Sequence, residues 1–476
     1  MINLKNLTIK KARKALDAKE FSAVELASSY LVEIKKKNKE LNAYLEVFDD
    51  VLEQAKIADE KIATGESHPL LGIPLAIKDN ILIKGRKVSA ASKILENYVA
   101  SYDATAISKL RKQGAIFLGR TNTDEFAMGG STENSAFGVT RNPHDTSRVS
   151  GGSSGGSVVA VASGMALGAL GSDTGGSVRE PAAFCGIVGM KPTYGRVSRY
   201  GLIAMGTSLD CIGSIGKTTE DAGIIYNAIV GNDPFDSTTI TDATYPKLST
   251  KEKLTIGVPW DLVNGEGIDK EVKENFKQSI DKLEKSSFKI KDISIKNIDM
   301  ALAVYYILMP AEASANLARF DGVRYGLHKD GENLFEDYKL TKGAGFGKEV
   351  RRRVLLGTYV LSAGYYDAYY GKAQKIRNML KNEFAKVFKE VDMIATPTAP
   401  SVAWKVGEKS DPLSAYLADI FTITANIVGV PAISIPSGFS EMKDKKLPLG
   451  IQFMAPHGGE EMLFRVGGKF EGLGEE

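Results

Sequence analysis

GGSSGGSVVAVASGMALGALGSDTGGS, residues 151–177, sets two glycine-rich serine clusters at the ends of a run of small apolar residues. Glycines beside a serine let the backbone take positive φ and let a substrate come close to peptide N–H groups, as an oxyanion-binding turn requires. The Ala/Val-rich run over 158–170 is long enough for a tightly packed helix, which would travel about 20 Å at 1.5 Å per residue. A strand or extended return would then carry Ser177 back towards Ser153 at one end of a sheet. Upstream, GIPLAIKDN over 72–80 holds a lone lysine, Lys78, behind Leu75, Ala76 and Ile77. Two serines and a lysine in an apolar setting outline a hydrolytic site that needs no histidine.

Working outward, short apolar runs at 71–77, 115–118 and 254–259 predict buried strands, and 392–397 and 430–436 predict short strands stopped by prolines. Residues 1–65 predict helices, with Leu26, Tyr30, Val32 and Ile34 on one face and Ser22 with Glu25 as a capping box. A lysine-rich amphipathic stretch lies within 250–300, and helices dominate 300–390, especially 348–356 and 365–388. This alternation predicts an α/β layered fold with a parallel or mixed sheet. The expected organisation is an N-terminal helical region over 1–65 packed on one α/β domain over 66–476. The stretch 231–250 reads as an exposed connection, and the glycine-rich segment after Phe464 as irregular.

The 476 residues carry 61 Lys plus Arg against 58 Asp plus Glu, a net charge of +3, which supplies no global field for gripping nucleic acid or an anionic membrane. Two cysteines, Cys185 and Cys211, are too few for a disulfide framework, and no apolar run approaches 18 residues. A cytoplasmic location is expected, with no membrane partner. GGSSG over 151–155 also fits the G-x-S-x-G nucleophile elbow, which demands a later acid and then a histidine. Of His68, His144, His328 and His457, only the last two follow the motif, and neither has a carboxylate spaced for a triad. A phosphate loop would need the G-K-[ST] ending that is missing here.

GGSSGGS (151–157), GSDTGGS (171–177) and FCGIVGMKPT (184–193) together resemble the amidase signature enzymes. SKILENY (92–98), GRTNTDEFAMGGS (119–131), KPTYGRVSRYG (191–201) and FDGVRY (320–325) resemble one branch, the A subunits of glutamyl-tRNA(Gln)/aspartyl-tRNA(Asn) amidotransferases. The resemblance implies a layered α/β/α fold with a large mixed central sheet flanked by helices, its signature core at about 70–215. It implies Ser177 as acyl-forming nucleophile, Ser153 as bridging serine with a cis peptide, and Lys78 as general base. Serine needs a neighbour to take its proton, and a lysine, ordinarily near pKa 10.4, must be held neutral by burial to do so. The N–H groups of Thr174, Gly175, Gly176 and Ser177 are the implied oxyanion hole, and Asp173 is expected to order that loop.

For glutamine as substrate, Asp419 would hold the α-ammonium and either Arg352 or Arg353 the α-carboxylate, with Tyr305 or Tyr306 lining the pocket. Glu125 is read either as guiding ammonia or as polar packing. No metal site is implied and no cofactor in this subunit; ATP and magnesium belong to the partner subunit. The implied partners are the B and C subunits and, through them, a misacylated tRNA. A free-standing amidase of the same family is the alternative. Glu180 departs from the branch, where glutamine is expected.

Overall fold

The computed structural model describes residues 2–241, 253–286, 288–409, 411–440 and 445–474. Among them, eleven strands join in one sheet: β1 (Tyr44–Val47), β2 (Pro74–Lys78), β3 (Ile116–Thr121), β4 (Gly168–Asp173), β5 (Val188–Lys191), β6 (Cys211–Gly216), β7 (Thr255–Val258), β8 (Lys289–Asp292), β9 (Met393–Pro397), β10 (Ala432–Phe439) and β11 (Pro448–Met454). Their spatial order is β1-β3-β2-β4-β6-β5-β10-β11-β9-β7-β8. The sheet is mixed. β3, β2 and β4 run parallel, β9, β7 and β8 likewise, and the strands between them are antiparallel. Every residue of β2, β4, β6 and β9 is buried, as strands covered by helices on both faces must be.

The signature segment folds differently from the single long helix expected over 158–170. Its helix is Gly155–Ala162, and the remainder becomes β4. Gly164, at φ +73°, terminates it, with its N–H donating to the Val161 carbonyl and that of Met165 to the Ala160 carbonyl. This Schellman arrangement satisfies carbonyls that the helix end would otherwise orphan. β4 then returns beside β2 with Ile77 opposite Leu170. Because β2 and β4 are parallel, Lys78 and Ser172 arrive at the same sheet edge.

The N-terminal region is helical (Ile9–Asp17, Ala23–Leu41, Val51–Ala63) except for β1, which pairs antiparallel to β3 and makes residues 44–47 part of the sheet. The Ser22–Glu25 capping box forms in both directions. Leu26, Tyr30 and Ile34 are buried at i, i+4, i+8, whereas Val32 is 64% exposed, because two residues beyond Tyr30 points across the helix. The amphipathic stretch is the helix Lys270–Lys285, the segment at 348 runs as Lys348–Leu361, and 365–388 holds a π-turn, Asp367–Gly371, before the helix Lys372–Val387.

Two expectations at the C-terminal end are corrected. β10 passes through Pro436, with a register shift between Pro436 and Gly438. β5 pairs only with Ala432–Ser434, so beyond that point a missing N–H costs no ladder bond on that side. The segment after Phe464 is no irregular tail but part of the helix Glu460–Gly472. Its Gly467 lies so close to the sheet that a Cβ there would stand 2.7 Å from Ile435 Cδ1. The connection expected over 231–250 is described only as far as Thr241; the rest lies outside the described residues.

Candidate active site

Lys78, the last residue of β2, is fully buried. Its Nζ lies 2.7 Å from Ser153 Oγ, 2.9 Å from both Ser154 Oγ and Ser172 Oγ, and 3.2 Å from the Ser172 carbonyl. Burial lowers its pKa to about 7, against the opposing pull of Asp124, Asp173 and Asp210. A buried amine surrounded by neutral hydroxyls is thus available as a base near neutrality. Gly152–Ser153 is a cis peptide. The Ser154 hydroxyl also donates to the Ser172 carbonyl (3.1 Å), and Asn80 donates to Ser172 Oγ (2.9 Å), so the amine sits in a ring of hydrogen-bonded groups.

Ser177 follows β4 on the tight loop 174–178 and is nearly buried. Ser154 N–H donates to its carbonyl at 3.0 Å, which ties the two serine loops together. Among the described residues no hydrogen bond reaches the Ser177 hydroxyl, so the Lys78–Ser153 half of the expected relay is formed and the Ser153–Ser177 half is not. Asp173 holds the loop: its carboxylate accepts from the N–H groups of Gly176 (2.9 Å) and Val178 (3.1 Å), from Arg179 Nε (3.0 Å) and Nη2 (2.9 Å), and from Asn426 (3.0 Å). The Gly176 N–H is therefore committed to Asp173, a correction to the expected oxyanion hole. The N–H groups of Thr174, Gly175 and Ser177 donate to no acceptor among the described residues. Thr174 is further fixed by its hydroxyl, which donates to Asp210 at 2.6 Å.

A pocket of about 240 Å³ is walled by Gly130, Ser131, Tyr306, Arg353, Tyr416 and Asp419; no described residue of the two serine loops lines it, and Gly130, Ser131 and Asp419 connect its wall to them. Gly130 and Ser131 pack on the Ser153 loop so tightly that a Cβ at Gly152 would meet Ser131 N at 2.6 Å. Tyr306 donates to Asp419 at 3.0 Å, and Thr422 joins Asp419 to the nucleophile loop by donating to the carbonyls of Gly175 (2.7 Å) and Asp419 (3.2 Å). Tyr305 covers the loop from above, where a Cβ on Gly175 would stand 2.7 Å from its ring. Arg353 is buried, donates to Glu349 at 2.7 Å, and lies over the rings of Tyr306 and Tyr416, which stack at 3.9 Å. Arg352, also paired with Glu349, is a third exposed at the rim. Burial raises the Asp419 carboxyl to about 7, against the Tyr306 hydrogen bond and the Arg353 charge that pull it down, so the cavity offers a guanidinium and, at separate points, a carboxyl that ionises near neutrality.

A model of the Amidase family matches residues 25–464. The chain belongs to the amidase family. Within that family, the A subunit of glutamyl-tRNA(Gln) amidotransferase from Thermoanaerobacter pseudethanolicus is 51% identical, the match covering 99% of this chain and 97% of that protein. The protein of the same name from Desulfatibacillum aliphaticivorans is 48% identical, over 98% and 97%. The crystal structure of the corresponding Thermotoga maritima protein superposes with a TM-score of 0.79 at 40% identity, covering 98% of this amidase and 94% of that chain. A peptide amidase in complex with chymostatin gives 0.83 at 27% identity, over 99% and 98%.

The four histidines stand apart from this chemistry. His144 bonds the Cys185 carbonyl (3.1 Å), His328 the exposed Asp330 (3.1 Å), His68 is exposed, and His457 is near the Val428 backbone. Glu125 accepts from Ser92 (2.5 Å) and from Gly347 N–H (2.8 Å), capping the helix that carries Arg353. Sequence reasoning gave no role to Ser172, Asn80 or Gly129–Ser131. Ser172 lies inside the quoted motif, and its alignment with Lys78 follows from strand register alone. Since Lys78 must be neutral to accept a proton, kcat/KM should rise tenfold per pH unit below about pH 7 and level off above it. A steady-state pH profile checks this; a flat profile between pH 5.5 and 7 overturns it.

Proposed function

We propose that this chain is the glutaminase subunit of a tRNA-dependent amidotransferase. The reading is carried by the buried Lys78–Ser153 pair and the uncommitted Ser177, on loops whose packed neighbours Gly130, Ser131 and Asp419 wall a pocket with a carboxyl and a guanidinium at separate points. Ser177 Oγ attacks the side-chain amide carbon of glutamine. Its proton passes through Ser153 to Lys78, and the oxyanion takes the N–H groups of Thr174, Gly175 and Ser177. Lys78 returns the proton to the leaving nitrogen, ammonia departs, and water releases glutamate from the ester. Ammonia then serves a B subunit that converts misacylated Glu-tRNA(Gln) or Asp-tRNA(Asn) with ATP and magnesium, with a C subunit completing the complex in the cytoplasm. Both cysteines are free and buried, in keeping with a reducing compartment.

Arg353 is the carboxylate partner in this reading, because it is buried against the stacked rings of Tyr306 and Tyr416 while Arg352 is a third exposed. Charged hydrogen bonds contribute about 1.5–3 kcal/mol. Arg353→Ala should therefore raise KM for glutamine about 10- to 150-fold, and Arg352→Ala less than about fivefold; equal effects would reverse the assignment. The deciding experiment measures ammonia release from L-glutamine by the chain, alone and with B and C subunits, with and without misacylated tRNA and ATP. Release stimulated by partners and tRNA is expected. Hydrolysis of other amides with no glutamine turnover in any condition would replace this reading with a free-standing amidase.

A further inference from the structure

Two carboxyls of the pocket wall, Glu349 and Asp419, act on Arg353, and it pairs with only one of them. Tyr306 and Tyr416 stack with their ring centroids 3.9 Å apart and send their hydroxyls to different acids, Tyr306 to Asp419 at 3.0 Å and Tyr416 to Glu349 at 2.8 Å. The Arg353 guanidinium lies over both rings, 5.6 and 5.4 Å from their centroids. Its Nε donates to Glu349 at 2.7 Å, and among the described residues it forms no ion pair with Asp419. The helix Lys348–Leu361 makes this choice: Glu349 stands four residues before Arg353, the spacing and order in which an acid and a base meet along one face.

The pairing decides what each group has left to offer. Burial opposes ionisation of Glu349, but the charge and hydrogen bond of Arg353, then Tyr416 and Arg352, outweigh it and hold that carboxyl below its ordinary value. With Nε on Glu349 and Nη1 against only the Met309 sulfur at 3.7 Å, no hydrogen bond among the described residues ends on Nη2, which leaves an edge of the guanidinium for an incoming carboxylate. Other acids nearby are committed elsewhere: Asp124 accepts from the N–H groups of Thr132 (2.9 Å) and Asn134 (3.1 Å), and Glu133 from that of Gly407 (2.7 Å). Without Glu349, Asp419 is the carboxyl of the wall on which Arg353 can close, and a buried guanidinium stripped of one partner takes the next. An Arg353–Asp419 pair would spend on each other the two groups that face the two ends of the substrate.

We propose that Glu349 is a positioning residue: it holds Arg353 off Asp419, so that the cavity keeps a guanidinium and a carboxyl apart for the two ends of one substrate. Glu349 acts through Arg353 and touches no reacting atom. Its second oxygen is paired with Arg352 at the rim, which gives that arginine a part in fixing the carboxylate without meeting the substrate. The inference rests on the glutamine reading and adds to it the residue that keeps the site open.

The test is protection of Ser177 from phenylmethylsulfonyl fluoride in the chain complexed with its partner subunits. This neutral reagent needs the nucleophile and its base but neither charged group of the pocket, so its unprotected rate reports the triad. The protecting ligand is glutaramate, which has the carboxylate and the side-chain amide of glutamine and lacks the amine. Glu349→Gln should raise the half-protecting concentration of glutaramate at least about tenfold and change the unprotected rate less than about threefold. Adding Asp419→Asn, which removes the carboxyl that captures Arg353, should bring protection back to within about threefold of the unaltered complex. A merely structural role slows the unprotected reaction and gains nothing from Asp419→Asn. Unchanged protection in Glu349→Gln, or a loss that Asp419→Asn does not reverse, overturns the role of Glu349. A second measurement needs no change at position 349: Asp419→Asn alone should shift protection by glutaramate less than about threefold, because Arg353 is already held off Asp419, whereas a tightening of about tenfold overturns the inference. If neither glutamine nor glutaramate protects the unaltered complex, the glutaminase reading and this inference fall together; protection there with no effect of Glu349→Gln removes only the latter.

Discussion

Replacing Ser177 by alanine is expected to lower ammonia release from glutamine by at least ~10⁴-fold, the scale seen when a nucleophile is removed from a group of residues that act as a unit. The fold should be undisturbed, since no hydrogen bond among the described residues ends on the Ser177 hydroxyl. Lys78→Met should cause a loss of similar order, because serine has no other base within reach: Lys78 is the amine against Ser153, and no histidine bonds either serine. The double variant should be no slower than the slower single one, as the two groups serve one proton transfer. The residual rate belongs to the oxyanion donors, each of which supplies about 100- to 1,000-fold when intact. Single-turnover assays with circular dichroism on each variant check the whole set. A Ser177→Ala enzyme near the unaltered rate sinks the mechanism.

The largest effect on stability is expected at Asp173. Its carboxylate, at the end of β4, is fully buried and accepts from Arg179, Asn426 and two N–H groups of the nucleophile loop. Removing one partner of a buried pair leaves an uncompensated charge and costs about 3–5 kcal/mol. Asp173→Ala strands the Arg179 guanidinium beneath the loop and also frees the Gly176 N–H, so a lower urea midpoint and a lower kcat should appear together. Asp173→Asn should recover part of the stability by keeping the shape, though not the charge pairing.

The pH dependence follows in sign. Despite burial, which acts the other way, Arg179 first and then Lys191 and Asn426 hold the Asp173 carboxyl down at about 2, below its ordinary 3.8. Its contribution is present above about pH 4 and fades as pH falls through about 2. Between pH 5 and 8 the difference between the unaltered chain and Asp173→Ala should therefore be flat. An unchanged urea midpoint in Asp173→Ala would show that the loop is held by other means.

The chemistry of this chain was legible wherever it depends on neighbours in sequence. A serine needs glycines beside it to sit on a close-approach turn, and a base lysine needs an apolar strand before it, so Ser153, Ser177 and Lys78 could be picked out as candidates from 72–80 and 151–177. The α/β alternation was legible for the same reason: apolar runs, prolines and glycines act within a few residues. Where local signals conflict, the reading failed. The run at 158–170 is almost wholly apolar, and only Ser163 and Gly164 mark where the helix ends; after Phe464, glycines that suggested irregularity permit a helix to press against β10.

Everything that depends on register and depth was settled by packing. Pairing of β2 with β4 puts Ser172 on the Lys78 amine, the start of the helix Gly155–Ala162 adds Ser154, and burial under the helices over the sheet lowers the pKa of that amine. The same burial distinguishes Arg353 from Arg352, adjacent residues of one helix whose types are identical and whose surroundings are not. It turns the Gly176 N–H to Asp173, and it leaves both Glu180 carboxyl oxygens without a hydrogen-bond partner among the described residues. Residue type and spacing specify which groups can react, because bonding and backbone freedom are local. Which of them share a dry site, and in what protonation state, depends on desolvation and on distances between residues 75 or more positions apart, such as Lys78 and Ser153, which only the closed sheet establishes.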